Sequence, residues 1–409
     1  MDYSALARAV EHDAALRRKQ TLQPIGGRND KIFPPTYPEE RRGQGPRHVF
    51  ERRRLNGREV WCVLVDSVQS QANRLEDALL GAIREGAIKL PYLTVDFSKA
   101  ALAGITEITS LEAPHRVYDA ILRDSALDGQ PFPKSALGMR LAEAKPADAT
   151  ALLEASPTAL LLGAWHSTGE GGGLGAKFPR CLVSEIVAVD VPVEDGPPDP
   201  RTGEVEIRTS GRRTGSRIDP LGVLRGVEVF KGQEGWDVVK ERAGKGAKPV
   251  RPSEINHGNI APTVQRLGVT CDYLEHTAVL SFSGLRRLGF GSIERDQAAR
   301  AFLASLGLVA FTEQDARGYP LRSRCDLVCE GRAPFDLVHP DGSVESLEMD
   351  RDIARKLLGA SLEAARKVGF ALATEPIRLT PQEKLVDIVR RSQALALEGE
   401  GGKAEEGGV

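Results

Sequence analysis

Along this chain the hydrophobic positions change period several times. In VWCVLVDSVQSQANRLEDALLGAI (60–83) an apolar run of strand character breaks at Asp66 and Ser67, after which apolar residues recur at helical spacing. The pattern predicts a strand over 60–66 and a helix over 68–84, with Leu75, Leu79, Ala82 and Ile83 as the stripe against a sheet. A second helix is expected near 115–124. TALLLGAW (158–165) and CLVSEIVAVDV (181–191) read as strands joined by the glycine-rich HSTGEGGGLGAKFPR. Further on, HTAVLSFSGL reads as a strand and ERDQAARAFLASLGL as a helix, with strands near 307–312 and 324–330. A last helix lies in DRDIARKLLGASLEAARKVGF. MDYSALARAVEHDAALRRKQ has charges throughout and no apolar central block, so it reads as an amphipathic helix and not as a signal peptide. Strand–helix–strand units at both ends, with strand pairs between, predict an α+β protein.

Composition narrows the class. With 409 residues, a formal charge of −2, 41% hydrophobic and 27% charged residues, the chain reads as a soluble globular protein of one elaborated domain or two ordinary ones. No stretch approaches the roughly 20 apolar residues of a membrane span, so no membrane partner is expected. Five cysteines are scattered, and only Cys325 and Cys329 are close together. No second ligand pair at zinc spacing accompanies them, which predicts reduced thiols in a cytoplasmic protein and no metal site. No cofactor is expected.

Charge is distributed unevenly. RRGQGPRHVFERRRLNGREV (41–60) is strongly basic, and RTSGRRTGSR (208–217) has four arginines and no acid. The stretches 191–220 and 240–259 carry the Pro/Gly/charge signature of long excursions from a core. LEGEGGKAEEGGV at the C-terminus reads as disordered.

The polar crowd at the 66–74 turn has two readings. Hydroxyl, amide and guanidinium groups beside free N–H groups at a helix start make a phosphate cradle, with Ser70, Gln71 and Arg74 sharing an exposed face. Otherwise Ser67 or Ser70 caps the helix while Arg74 pairs with Asp77. In PHRVYDAILRDS (114–125), Arg116, Asp119 and Arg123 fall on one helical face, as candidate contacts or as a surface ion-pair row. GEGGGLGAK (169–177) fails as a nucleotide-binding loop, because Ala176 precedes Lys177, Phe178 follows it, and the segment joins two strands. A hairpin tip is the better reading. RTSGRRTGSR, with Arg212, Arg213 and Arg217, suits a nucleic-acid backbone. GLRRLGFGSI adds Arg286 and Arg287 more weakly.

Taken together, DSVQSQANRLEDAL, HRVYDAILRDS, SPTALLLGAWHSTG, FPRCLVSEIVAVDV, SRIDPLG and SEINHGNIAP resemble the RNA-binding backbone subunit of the type I-G (formerly I-U) CRISPR surveillance complex, Cascade. That subunit belongs to the RAMP superfamily, and the resemblance covers about residues 48–330. It implies a ferredoxin-like, RRM-type palm with large finger and thumb insertions. It also implies partners: crRNA, other copies of the chain in a helical filament, other Cascade subunits, and a target DNA strand paired to the guide. Related subunits carry Ser-Ser-Gln followed by Lys-Arg after the first strand; Ser70, Gln71 and Arg74 match, while Gln69 and Asn73 depart. Leu162-Gly163-Ala164 lacks the arginine of the family's Phe-Gly-Arg, so that contact is not carried over. The division implied is a 1–47 extension, a first palm part at 48–190, a basic insertion at 191–261, a second palm part with C-terminal helices at 262–380, and a largely disordered 381–409 tail. Expected RNA contacts are Ser67, Ser70, Gln71, Asn73, Arg74, His115, Arg116, Arg212, Arg213, Arg217, Arg286 and Arg287.

No catalytic residue is expected. Asp66 reads as structural, a carboxylate at a helix start. The competing reading is a RAMP-type ribonuclease that processes CRISPR precursor RNA, with His115, His166 or His257 as acid/base.

Overall fold

The computed structural model describes residues 1–38, 47–166, 175–198, 201–203, 205–232 and 235–397. It is a mixed α+β structure in two compact units. The first comprises Met1–Asn29, Val65–Ala188 and Tyr273–Asp387; the second comprises Asp30–Leu64, Val189–Asp272 and the chain from Ile388.

In the first unit, helix α1 (Tyr3–His12) is capped by Asp2, whose carboxylate accepts from Ala5 N at 2.8 Å. The amphipathic helix expected through residue 20 stops there. Ala15–Pro24 is instead strand β1, with Leu16, Arg18, Gln20, Leu22 and Pro24 buried in alternation. Polar Arg18 and Gln20 at core positions are what hid its period of two. The 1–47 segment is therefore no simple extension. Its first 29 residues belong to this unit, and β1 pairs on one side with Tyr273–Ser281 and on the other with Cys325–Cys329 and Phe335–Val338.

Numbered along the chain, the remaining strands of this sheet are β2 (Phe50–Leu55), β3 (Arg58–Asp66), β4 (Leu182–Val189), β5 (Tyr273–Ser281), β6 (Tyr319–Arg322), β7 (Cys325–Cys329), β8 (Phe335–Val338) and β9 (Val344–Leu347). Within the first unit the order is β6-β7-β1-β5-β4 and then β3, which ends here at Val65 and Asp66; β8 also pairs β1, and β9 pairs β8. Helix α2 (Val68–Arg84) buries Leu75, Leu79 and Ala82, as its period predicts, while Ile83 is only half-buried. It packs on α3 (Ile293–Arg317), which also meets α1 and α4 (Arg351–Lys367). The segment 307–312 is part of α3, not a strand. Between Ala301 and Gln314 this helix is buried on every side, so its apolar run shows no amphipathic period. A Cβ on Gly307 would lie 3.0 Å from Leu182 Cδ1, so glycine lets α3 approach β4 closely.

Three other local expectations change. The helix near 115–124 is a 3₁₀ turn (Arg116–Tyr118) and a short helix (Ala120–Arg123) capped by Asp119. TALLLG is helical over Pro157–Leu162, and only Ala164–Trp165 is extended, paired with Lys177–Phe178. A buried run of leucines carries no period to tell the two states apart. The tip at 167–174 lies outside the described residues. At the C-terminus Ile377–Pro381 is a strand and Glu383–Leu397 a helix, so the expected disordered tail is ordered as far as 397; 398–409 lie outside the described residues.

The second unit is built from β ladders. Asn56 and Gly57, with φ of 50° and 79°, make the tight turn that joins β2 to β3. Val193–Pro198 pairs with Val205–Thr209, and Arg213–Arg217 pairs with Ile260–Gln265. Val229–Gly232 lies between Gly235–Asp237 and Lys248–Val250. The 191–261 insertion thus contains three sets of paired strands and is not one open loop.

Candidate nucleic-acid interface

At the turn from β3 into α2 the polar side chains converge on one carboxylate. Asp66 is 1% exposed. It accepts from Ser70 Oγ at 2.8 Å, Gln71 Nε2 at 2.7 Å, Arg74 Nε at 3.0 Å and Arg322 Nη2 at 3.3 Å. A carboxylate offers about four lone-pair sites, so Asp66 is saturated. Ser67 caps the helix, its Oγ accepting from Ser70 N at 3.3 Å. The carbonyl of Gln71 accepts from Ser184 Oγ at 3.3 Å and Gln314 Nε2 at 3.2 Å. Arg74 gives Nη1 and Nη2 to the carbonyls of Pro320 and Leu321 at 3.2 and 2.8 Å, and Arg322 Nη1 reaches Val65 O at 3.0 Å.

The expected exposed face of Ser70, Gln71 and Arg74 is therefore corrected. Gln71 is fully buried, and the other two are half-buried, with Ser70 Oγ and all three guanidinium nitrogens of Arg74 donating inward. A carboxylate taken out of water at the end of β3 needs donors, and the first two turns of α2 supply them. Arg74 pairs with Asp66 and not with Asp77. Gln69 and Asn73 are what this turn shows to solvent.

Arg116 is also turned inward. Its Nε and Nη2 each donate to Glu76 at 2.8 Å, and Nη1 reaches Gly163 O at 3.1 Å. Arg116 has a φ of 53°, the left-handed conformation, so it leaves the helical row expected with Asp119 and Arg123. Burial pushes the Glu76 carboxyl up to about 7, against the pull of the Arg116 guanidinium. His115 is exposed beside it. Arg286 spends Nη1 on the carbonyls of Val10 and Asp13 at the end of α1, at 2.6 and 2.8 Å, whereas Arg287 is exposed. His166 stacks on Tyr118 with ring centroids 4.7 Å apart, and burial lowers its pKa.

In the second unit Lys31, Arg52 and Arg213 lie against aromatic rings. Lys31 Nζ and the Arg213 guanidinium lie 5.6 and 5.9 Å from the centroid of Phe33, and Lys31 also donates to Arg212 O at 2.7 Å. Arg52 lies 4.8 Å over Trp61, its cross-strand partner in the β2–β3 hairpin. Arg212 is held by Glu194, at 3.0 and 3.1 Å, and by the carbonyls of Ser210 and Gly211 at 2.7 and 3.1 Å. Arg217 donates to His257 O at 3.1 Å and Gly258 O at 3.2 Å. Arg212 and Arg213 are exposed, and Arg217 is half-buried. His257 meets Trp236 edge-on at 5.5 Å.

Of the twelve expected contacts, nine lie in the first unit and Arg212, Arg213 and Arg217 in the second. Sequence reasoning passed over Lys31, Phe33, Arg52 and Trp61. A signal for the last two exists, because Asn-Gly at 56–57 fixes a hairpin register that sets Arg52 opposite Trp61. Among the described residues, no three His, Cys, Asp or Glu side chains converge to hold a metal, and no helix is long and apolar enough to cross a membrane. Cys325 and Cys329 are free thiols on β7, each pushed up to about 11 by burial.

Residues 16–193, a little under half of the chain, are similar to the family model described as CRISPR-associated protein GSU0053 (Cas_GSU0053). No curated protein matches the chain.

Proposed function

We propose that this chain is a non-catalytic crRNA-binding backbone subunit of a type I-G CRISPR surveillance complex, built on an RRM-like palm. Copies polymerise along the guide, alongside other Cascade subunits, and present it for pairing with a target DNA strand. The observation that carries the reading is the CRISPR-associated family match over residues 16–193. Its RNA-binding part is supported by the second unit, where Lys31, Arg52 and Arg213 are held over Phe33 and Trp61. Cations fixed on rings grip phosphate without reading bases, which suits a guide whose sequence varies from spacer to spacer. The inward-turned Ser70, Gln71 and Arg74 serve as the brace of the palm, and the grip belongs to the exposed cations.

The test is to purify the full chain and follow its binding to single-stranded RNA at graded salt. Affinity that rises with RNA length and falls linearly against log salt, at about −0.7 per phosphate contacted, is the expected result. Bound RNA of regularly stepped lengths supports the filament. A nucleic-acid-free monomer indifferent to RNA at low salt would sink the reading. Metal-independent cutting of repeat RNA, abolished by substituting His115, His166 or His257, would replace it with the ribonuclease.

A further inference from the structure

We propose that a cavity in the second unit is a binding site for a nucleotide phosphate. The cavity measures about 280 Å³, and Arg47, Phe50, Glu206, Arg208, Gln265 and Arg266 are among its lining residues. Arg208 and Glu206 stand two apart on the strand Val205–Thr209 and so project from one face of it. Arg266 follows the strand Ile260–Gln265, and Arg47 and Phe50 lead into β2. Three guanidiniums line it, with Arg208 paired to Glu206 and Arg266 to Glu194.

The arginines are held but not exhausted. Arg208 gives Nε and Nη2 to Glu206 at 3.0 and 2.6 Å, and Arg266 gives Nη1 to Glu194 at 2.9 Å. A guanidinium carries five N–H donors, so both retain hydrogen bonds to give, from an orientation their carboxylates fix.

The lining beneath is rigid. Gly268 N donates to His48 Nε2 at 3.0 Å, so Nε2 carries no proton; Nδ1, 3.0 Å from Pro35 O, is the protonated nitrogen and donates there. With both ring nitrogens engaged, His48 is a fixed post of the lining. Thr209 Oγ1 donates to Gly268 O at 2.6 Å and accepts from Gly211 N at 3.0 Å. Phe50 and Leu267 add apolar wall for a nucleoside, and Gln265 adds an amide. The volume lies just under the ~300–1,000 Å³ of ordinary ligand pockets, which suits one nucleotide and not a stretch of strand.

The ligand rests on the RNA-binding reading if the nucleotide belongs to a single strand, and is independent of that reading if it is free. Wild type and an R208Q/R266Q double variant of the full chain separate these sources. The probes are a labelled 12-nucleotide RNA followed by anisotropy, AMP followed by calorimetry, and 5-iodouridine RNA whose crosslinks are mapped by mass spectrometry. Loss of both arginines is expected to weaken RNA binding about tenfold at low salt and to reduce the salt slope by about 1.4, two contacts at ~0.7 each. Wild-type crosslinks are expected at Phe50. Competition by AMP identifies a free nucleotide as a further ligand; its failure restricts the site to a strand. RNA binding with unchanged slope and crosslinks elsewhere would overturn the pocket and leave the proposed function standing. AMP binding lost in the variant, with no RNA binding by wild type, would do the reverse. If the double variant melts early, the wild-type crosslink position and AMP titration decide alone.

Discussion

The turn at Asp66 and the strand around Arg213 have similar compositions and opposite uses. Both crowd arginine with hydroxyl-bearing residues, and both read as phosphate-binding surface. At the first, a buried carboxylate collects the donors and the cluster becomes part of the core. At the second, Glu194 takes Arg212 while Arg213 lies out over Phe33. The lesson is that an arginine's availability depends on whether a carboxylate or a ring reaches it first, and that partner can be far away in sequence.

The largest test of the contrast is Asp66→Ala. It strands Gln71 and two guanidiniums around an empty centre, and we expect a loss of about 3–5 kcal/mol in urea unfolding. Equal destabilisation is expected of Arg116→Met, which leaves the Glu76 carboxylate buried without its partner. Either result below 1 kcal/mol would mean the turn is a surface after all.

A pH test comes next. His276 is fully buried near Arg18 and Asp315, and burial, with the Arg18 charge adding to it, lowers its pKa from 6.5 to about 3. Tyr319 spends its proton on Asp315, so His276 Nδ1 is the donor in the 3.3 Å contact with Tyr319 Oη. Between those values the unfolded chain takes up a proton that the folded ring refuses. Stability from this group is therefore complete above about 6.5 and drains as pH falls toward 3. Unfolding of His276→Phe followed across that window should show a flatter acid limb than wild type; an unchanged limb would locate the effect elsewhere.

Smaller effects belong to the outward side. Arg213→Ala should cost about 0.5–1 kcal/mol of RNA affinity, for every guide alike, while leaving the melting curve in place. Smallest is Asn73→Ala, expected within about 0.5 kcal/mol in stability. More than a threefold loss of RNA affinity in that variant would return the turn to the interface.

Elements with a clean period were legible in the chain: the strand and helix on either side of Ser67, the strand at Leu182–Val189, and the helix ending at Lys367. Elements whose period the core erased were not. Leu160, Leu161 and Leu162 are buried together, and α3 is buried all round, so neither shows a face. β1 hid behind Arg18, which lies 4.8 Å over Phe335 and pairs with Asp315, partners some 300 positions away. The residue types of the candidate site could be read from the chain, but not which way they point. That direction follows from tertiary partners such as Arg322 and Ser184, which no local window contains.

The pairing of β1 also bears on how the protein is made. Ala15 lies opposite Ser281, and Leu22 opposite Cys329. At roughly 5–20 residues per second, a ribosome needs on the order of 10–50 s after releasing β1 to supply β5, and longer to supply β7. The strand at the centre of the sheet is thus synthesised well before the strands that flank it. During that interval its unpaired edges need cover from a chaperone or from nascent α1, and slowing translation between 24 and 273 should lower the soluble yield.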